Sequence, residues 1–391
     1  MPWQERNALQ QREEFIDAWL LRRRSFTDLC ASFGIARKTG YKWTERYDGG
    51  GRAALQDRSR APGECPHAIR EEVASAIVAA RQQHPTWGPR KLRKALGRDN
   101  PAQRWPAASS IGQLLKREGL VQERRNKRRT SPSTEPLAHA QGPNQVWCAD
   151  FKGWFHCQDG SRCDPLTITD AYSRYLLRCR AVAKTDGLHV RAVFETLFRE
   201  CGLPQAIRTD NGPPFASVAP AGLSRLSMWW LKLGIRHERI TPGCPQENGR
   251  HERMHRTLKA ETAHPPEGNL ARQQRRFQLF EREYNEVRPH EALDYRTPAE
   301  LYVPSVRVFP ARLPEPEYPV GAHLRRISQQ GSLKWKTRRT FLSEVLARET
   351  VGLIEIDDEL FEVYYGPVLL GWLDGREAAF ARDEPPRKRR P

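Results

Sequence analysis

Three carboxylates in this chain are placed where they could do chemistry together. Asp150 closes the apolar run VWCAD, Asp210 closes AIRTD just before the turn residues Asn211-Gly212, and Glu252 falls in the first turns of a helix-type segment, GCPQENGRHERMHRTLKAE. An acid at the end of one strand lies about 4.8 Å from its counterpart on the neighbouring strand. Carboxylates so placed can hold two hard divalent cations about 4 Å apart, which together stabilise the attacking and leaving oxygens of an in-line phosphodiester displacement. Mg2+ suits such an all-oxygen set, with Mn2+ as a substitute. No protein nucleophile is required, since water or a DNA 3′-hydroxyl suffices.

The same segment can be read differently. His251, Glu252 and His255 spell HExxH, in which two histidines four apart bind zinc and the glutamate is a general base. The pattern fixes few positions, and its extended form fails at Leu258 and Glu261, where glycine and histidine are needed. Glu281 remains as a possible third ligand. Against this, His255, Arg256 and Lys259 stand at i+3, i+4 and i+7 from Glu252, on one helix face. A carboxylate with cations beside it suits a metal next to a phosphate backbone. Asn248-Gly249 ahead of the helix supplies a loop able to move on DNA. Other acids fit less well. Asp170 sits near a strand end expected to point away, Glu247 belongs to the loop, and Asp159 and Asp164 flank a turn where solvated carboxylates are ordinary.

These acids need a scaffold. Strand patterns at QVWCADFKGWF, CDPLTITDAYS and RYLLRCRAV precede an amphipathic helix, DGLHVRAVFETLFREC. The short strand PQAIRTDNG, a helix near LSRLSMWWLKLGI and a last strand, RHERI, follow. Three strands, helix, strand, helix, strand predicts an α/β layered domain with a mixed sheet. Further helices are expected over 250–260 and 272–287. Past Thr297-Pro298 the sequence turns to short alternating runs broken by Gly and Pro, the texture of a small β-barrel.

Upstream, Phe15, Ile16, Trp19 and Leu20 recur at helical spacing, and the turn Gly34-Ile35 precedes a second helix bearing Arg37, Lys38 and Lys42. A basic helix after such a turn is the arrangement that meets a DNA major groove. A plain three-helix bundle with a solvated basic face is the competing reading. The linker DGGGRAALQDRSRAPGECP carries Arg52, Arg58 and Arg60, which on an extended arm could enter a narrow minor groove. A solvated spacer would have the same composition. HAIREEVASAIVAARQQH, GPRKLRKAL and AASSIGQLLKREGL suggest a second helix-turn-helix, and ERRNKRRTSPSTEP a basic tether.

Composition supports a polyanionic partner. Lys and Arg number 65 against 47 Asp and Glu, a formal net charge of +18. The eight cysteines contain no CxxC pair, so a zinc ribbon is not indicated and reduced thiols are expected. No apolar stretch is long enough for a membrane span, and a cytoplasmic, nucleoid-associated protein is expected.

Taken together, VWCADFKG, the DAYSRY strand end, IRTDNGPPF, PGCPQENGRHERMHRTLKAE and YNEVRPHEALDYRTPAELY resemble the DDE transposase and retroviral-type integrase superfamily, in the branch of bacterial insertion-sequence transposases. Their order is also the family's, over about residues 144–302. The resemblance implies a ribonuclease H-like core whose metal ligands are Asp150, Asp210 and Glu252, with Asp150 bridging both ions. It implies double-stranded DNA as substrate, at element ends and target. Joining two ends requires two active sites, hence a dimer or higher homo-oligomer. The expected domains are a helix-turn-helix (1–47), a linker (48–66), a second helix-turn-helix-like unit (67–121), a basic linker (122–143), the core (144–303), a small β-barrel (304–380) and a basic tail (381–391). Two departures stand out. Forty-one residues separate Asp210 from Glu252, more than is usual in the family, with the excess placed at Val218–Ser224. The N-terminus also lacks the zinc module of retroviral integrases. The expected function is metal-dependent strand cleavage and strand transfer. The alternatives are a non-catalytic DNA-binding protein or decayed transposase and, remotely, a zinc metalloprotease.

Overall fold

The computed structural model describes residues 7–58, 68–121, 137, 139–182, 184–241 and 249–383, without the Arg250 side chain. The chain forms two units, Met1–Ile69 and Arg70–Pro391.

The first unit contains α1 (Ala8–Leu20), α2 (Phe26–Ser32) and α3 (Arg37–Gly50). Asn7 and Gln10 form a capping box on α1, and the Ser25 hydroxyl accepts the Asp28 N–H at the start of α2. Gly34, at φ +66°, makes the turn between α2 and α3. Phe15, Ile16, Leu29, Cys30, Trp43 and Leu55 form the core. Gly40 lets α3 approach closely, because a Cβ there would lie 2.6 Å from the Cys30 sulfur. The expected linker starts later than position 48. Helix α3 continues through Gly49 and Gly50, and a 3-10 turn over Arg52–Leu55 returns Leu55 to the core with no exposure. Arg52 therefore pairs with Asp17 at 2.6 Å instead of riding an extended arm.

The second unit begins with α4 (Glu71–Gln83), α5 (Pro89–Asp99) and α6 (Ala108–Arg117). Ile77, Leu92 and Ile111, one from each helix, are fully buried. Pro89 sits in the first turn of α5, where its missing N–H costs nothing. The basic tether at 122–136 lies outside the described residues.

The central sheet is made of β1 (Val146–Phe151), β2 (Phe155–His156), β3 (Arg162–Asp170), β4 (Leu176–Val182), β5 (Ala206–Thr209) and β6 (Arg236–Arg239). Its order is β4-β3-β1-β5-β6, with the two-residue β2 also paired to β3. β1, β3 and β4 are antiparallel neighbours, whereas β1, β5 and β6 run parallel, so the sheet is mixed as expected. One apolar cluster joins it to α7 (Gly187–Cys201) and α8 (Arg225–Lys232), and includes Trp147, Phe194, Phe198 and Trp230. Another joins it to α9 (Gly249–Thr262) and α10 (Leu270–Arg282) through Cys179, Met254, Leu258 and Phe277. Helix α10 ends earlier than the sequence pattern suggests and passes into a π turn, Glu283–Val287.

Beyond the core, β7 (His323–Arg326), β10 (Thr350–Asp357), β11 (Leu360–Tyr365), β12 (Val368–Asp374) and β13 (Ala379–Ala381) form an antiparallel sheet. Strands β8 (Ser332–Trp335) and β9 (Arg338–Phe341) make a separate hairpin. Among the alternating runs past Thr297-Pro298, SVRVF (305–309) is not a strand. It is tied to the loop after α7, with Ser305 N–H donating to Cys201 C=O at 2.8 Å and Leu203 N–H to Arg307 C=O at 2.7 Å. Leu223 and Met228 of the core enter the apolar cluster of the C-terminal sheet, and Lys232 pairs with Glu349 at 2.7 Å. No helix among the described residues is long and apolar enough to cross a membrane.

Candidate active site

Parallel pairing of β1 with β5 sets Val146 opposite Ala206, Trp147 opposite Ile207 and Cys148 opposite Arg208. Asp150 and Asp210 each follow the last of these pairs by two residues, and adjacent strands are about 4.8 Å apart. Asp210 lies just past β5, where its carboxylate accepts the Gly212 N–H at 3.2 Å. Asn211 donates to the Ile240 carbonyl at 2.8 Å and holds the turn against the end of β6. Both aspartates are partly buried, and Glu252 is exposed in the first turn of α9.

The carboxylates sense one another. Burial first, then Asp210, and to a smaller degree Glu252, push the Asp150 carboxyl up to about 7, against the Phe151 N–H and the Lys152 ammonium, which pull it down. Like charges crowded in a partly buried site favour a proton or a cation between them. The donor set, three oxygen-bearing acids, is chemically suited to a hard divalent ion. Among the described residues, however, no three acid, histidine or cysteine side chains already form a finished ligand group. Residues 242–248, immediately before α9, lie outside the described residues, and the expectations for Glu247 and Asn248 lie there with them.

Glu252 lines a cleft of about 430 Å3 with Lys152, His255, Arg256, Lys259 and His264. Arg256 and Lys259 are exposed on its wall. His255 is different. Its side chain is only 6% exposed, its Nε2 is 2.6 Å from the Thr167 hydroxyl, and its Nδ1 is 3.8 Å from an Asp150 oxygen. Helical spacing alone puts His255 on the face of Glu252, but α9 turns His251, Met254, His255 and Leu258 to the sheet and leaves Glu252, Arg256 and Lys259 outside. His255 is thus a buried neighbour of the acids, not a solvent-facing phosphate contact. Burial pushes both histidines down, His251 to about 3, so both are neutral at ordinary pH.

That geometry disfavours the zinc reading. His251 and His255 both aim Nε2 at the Thr167 hydroxyl, each at 2.6 Å, and Glu281 is occupied by the Cys179 N–H. The remaining acids behave structurally. Asp170, 1% exposed, accepts from the N–H groups of Asn144 and Ser173 and from the Ser173 hydroxyl. Asp164, expected to be solvated, is 4% exposed and bonded by Arg162 at 2.7 Å.

Lys152 was missed by sequence reasoning. Standing two residues after Asp150, it shares the strand's side-chain period, and that spacing was the available signal. Thr167 had no signal, because only the antiparallel pairing with β3 places it opposite Asp150. In the first unit, Arg37, Lys38 and Lys42 are exposed along α3, and Arg58 is exposed as well. Arg60 lies outside the described residues.

Parts of the chain are similar to known proteins. An integrase core domain family matches residues 140–245, and a second family of the same description matches 233–298. A helix-turn-helix domain matches 11–63 and a homeodomain-like domain 39–115. The latter runs across the division at residue 69 between the two structural units. A protein of insertion element IS407 from Burkholderia multivorans is 28% identical over 59% of this chain and 80% of its own length. The transposase InsD of insertion element IS2 from Escherichia coli is 26% identical over 55% of this chain and 73% of its own. The catalytic core domain of HTLV-2 integrase, solved in complex with magnesium, superposes at a TM-score of 0.34 with 17% identity over 42% of this chain and 99% of its own.

Proposed function

The chain belongs to the DDE transposases and integrases of bacterial insertion sequences, and from that premise we propose that Asp150, Asp210 and Glu252 are its catalytic carboxylates. A transposase of this kind is a polynucleotidyl transferase. The observation that supports the assignment best is the parallel β1–β5 register, which runs toward Asp150 on one strand and Asp210 just past the other, with Glu252 near enough to act on the Asp150 carboxyl.

Two divalent ions, Mg2+ or in its place Mn2+, would supply charge stabilisation to the attacking and leaving oxygens. Asp150, whose carboxyl both other acids act on, would serve both ions. Asp210 and Glu252 would complete one site each, Glu252 being carried in as the start of α9 adjusts on DNA. Arg256, Lys259 and Lys152 line the cleft wall, and their cations would hold the backbone on either side of the scissile phosphate. Asn248, just ahead of α9 in sequence, would act beside them. In the first unit, Arg37, Lys38 and Lys42 would meet the major groove of the element's end, with Arg58 and Arg60 following the backbone into the minor groove. The second helical unit would extend that grip.

On this reading the core, residues 144–303, is ribonuclease H-like, and residues 304–380 act as a small barrel after it. The helix-turn-helix (1–47), linker (48–66), second helical unit (67–121), basic linker (122–143) and basic tail (381–391) divide the rest. The enzyme nicks a strand at the element's end and uses the freed 3′-hydroxyl to attack target DNA, working as a dimer or higher oligomer. Asp150→Asn is the test. It should abolish strand cleavage while leaving end binding within about twofold, and a variant that still nicks would overturn the assignment.

A further inference from the structure

The Thr167 hydroxyl has a crowded position. It donates to the Asp150 carbonyl at 3.1 Å, and the Nε2 atoms of His251 and His255 each stand 2.6 Å from it. A hydroxyl has one proton and two lone pairs. With its proton given to the carbonyl, both imidazoles must be donating N–H groups, and the hydroxyl is saturated. His251 is then the Nε2–H tautomer, and its Nδ1 accepts from the Thr169 hydroxyl at 3.2 Å. The two rings meet edge to face, 4.6 Å between centroids. His251 and His255 flank Glu252 in sequence and are 3% and 5% exposed. Thr167 is the residue directly across the ladder from Asp150. One buried oxygen therefore ties the first turns of the glutamate helix to the backbone of the central aspartate.

We propose that Thr167 is a positioning residue for the metal site: clamped between the two imidazoles, it sets the height and rotation of the start of α9 and thereby where the Glu252 carboxylate meets that of Asp150. This rests on the assignment of the three acids as ligands. Apolar packing by Met254 and Leu258 fixes α9 against the sheet but tolerates sliding and rotation. Hydrogen bonds converging on a single oxygen do not, since their strength falls steeply with misalignment.

Thr167→Val removes the hydroxyl and keeps the branched shape. It strands two buried N–H donors. We expect the full-length variant to fold and to bind element-end DNA as the parent does. Hydrogen exchange over residues 251–258 should quicken about tenfold, and the Mn2+ half-saturation read by electron paramagnetic resonance should rise by about tenfold or more, the usual cost of losing a group that orients a ligand. Thr167→Ser should restore both. Parent-like exchange and Mn2+ binding in T167V, or no recovery in T167S, would overturn the proposal. If T167V does not fold, His255→Gln, which keeps an N–H donor, is set against His255→Leu, which has none. Separated Mn2+ curves support the clamp, and coincident curves refute it. Asp150→Asn in the same titration distinguishes the two levels. Parent-like Mn2+ binding in D150N removes the ligand assignment itself, whereas loss in D150N with retention in T167V removes only the clamp.

Discussion

Asp150 carries its proton to about pH 7 in the metal-free protein, against about 3.9 for a free aspartate. A folded-state pKa raised for an acid means that the native state binds the proton more tightly. Its stabilising contribution is complete below about pH 4 and is lost as pH rises through 7. Thermal stability of the metal-free protein should therefore fall across that window. Asp150→Asn, which cannot ionise, should be more stable than the parent at pH 8 by on the order of 3 kcal/mol, discounted for its partial exposure. Differential scanning calorimetry in a chelator checks the sign, and equal melting points at pH 8 would contradict it. Divalent ions compete with the same proton, so their binding should strengthen from pH 6 to 8 and release protons as it occurs.

At the level of elements, Gly40 and α9 carry distinct predictions. The approach of α3 to α2 leaves no room at Gly40, so Gly40→Val should force the recognition helix outward and cost about 1–3 kcal/mol, with DNA-end binding lost and metal binding retained. Leu258→Ala, which empties a position 1% exposed beneath α9, should cost about 2–5 kcal/mol and shorten the life of the folded core under denaturant. The strands and helices that bear Asp150, Asp210 and Glu252 were legible because apolar period and turn residues are local signals. What failed was the side of α9 on which His255 falls. Helical spacing alone places i+3 beside i, but the sheet covers only one arc of the helix, and the boundary of that arc passes between Glu252 and His255. Arg52 failed for a related reason. Glycines at 49–51 marked a break, yet one more 3-10 turn after them still had Leu55 to bury. Thr167 is ordinary in a strand, and its importance arises only from long-range pairing, which local pattern cannot reveal.

For the whole molecule, the formal charge of +18 and the exposed cations of α3 and α9 predict binding dominated by counterion release. With about 6–10 phosphates contacted, affinity for an element end should fall by about 10³–10⁵ between 50 and 200 mM salt. Arg256→Ala with Lys259→Ala should reduce the slope of log affinity against log salt by about 2, uniformly across DNA sequences, as measured by fluorescence anisotropy. The segment leading from Leu223 into α8 has its own consequence at this scale. Because Leu223 and Met228 finish the apolar filling of the C-terminal sheet, a fragment cut after the core would present unsheltered greasy side chains to water. Such a truncate should clump during purification, whereas one that retains the last strands should stay dispersed. Leu223 and the first turns of α8 are thus the mortise into which the C-terminal sheet is joined.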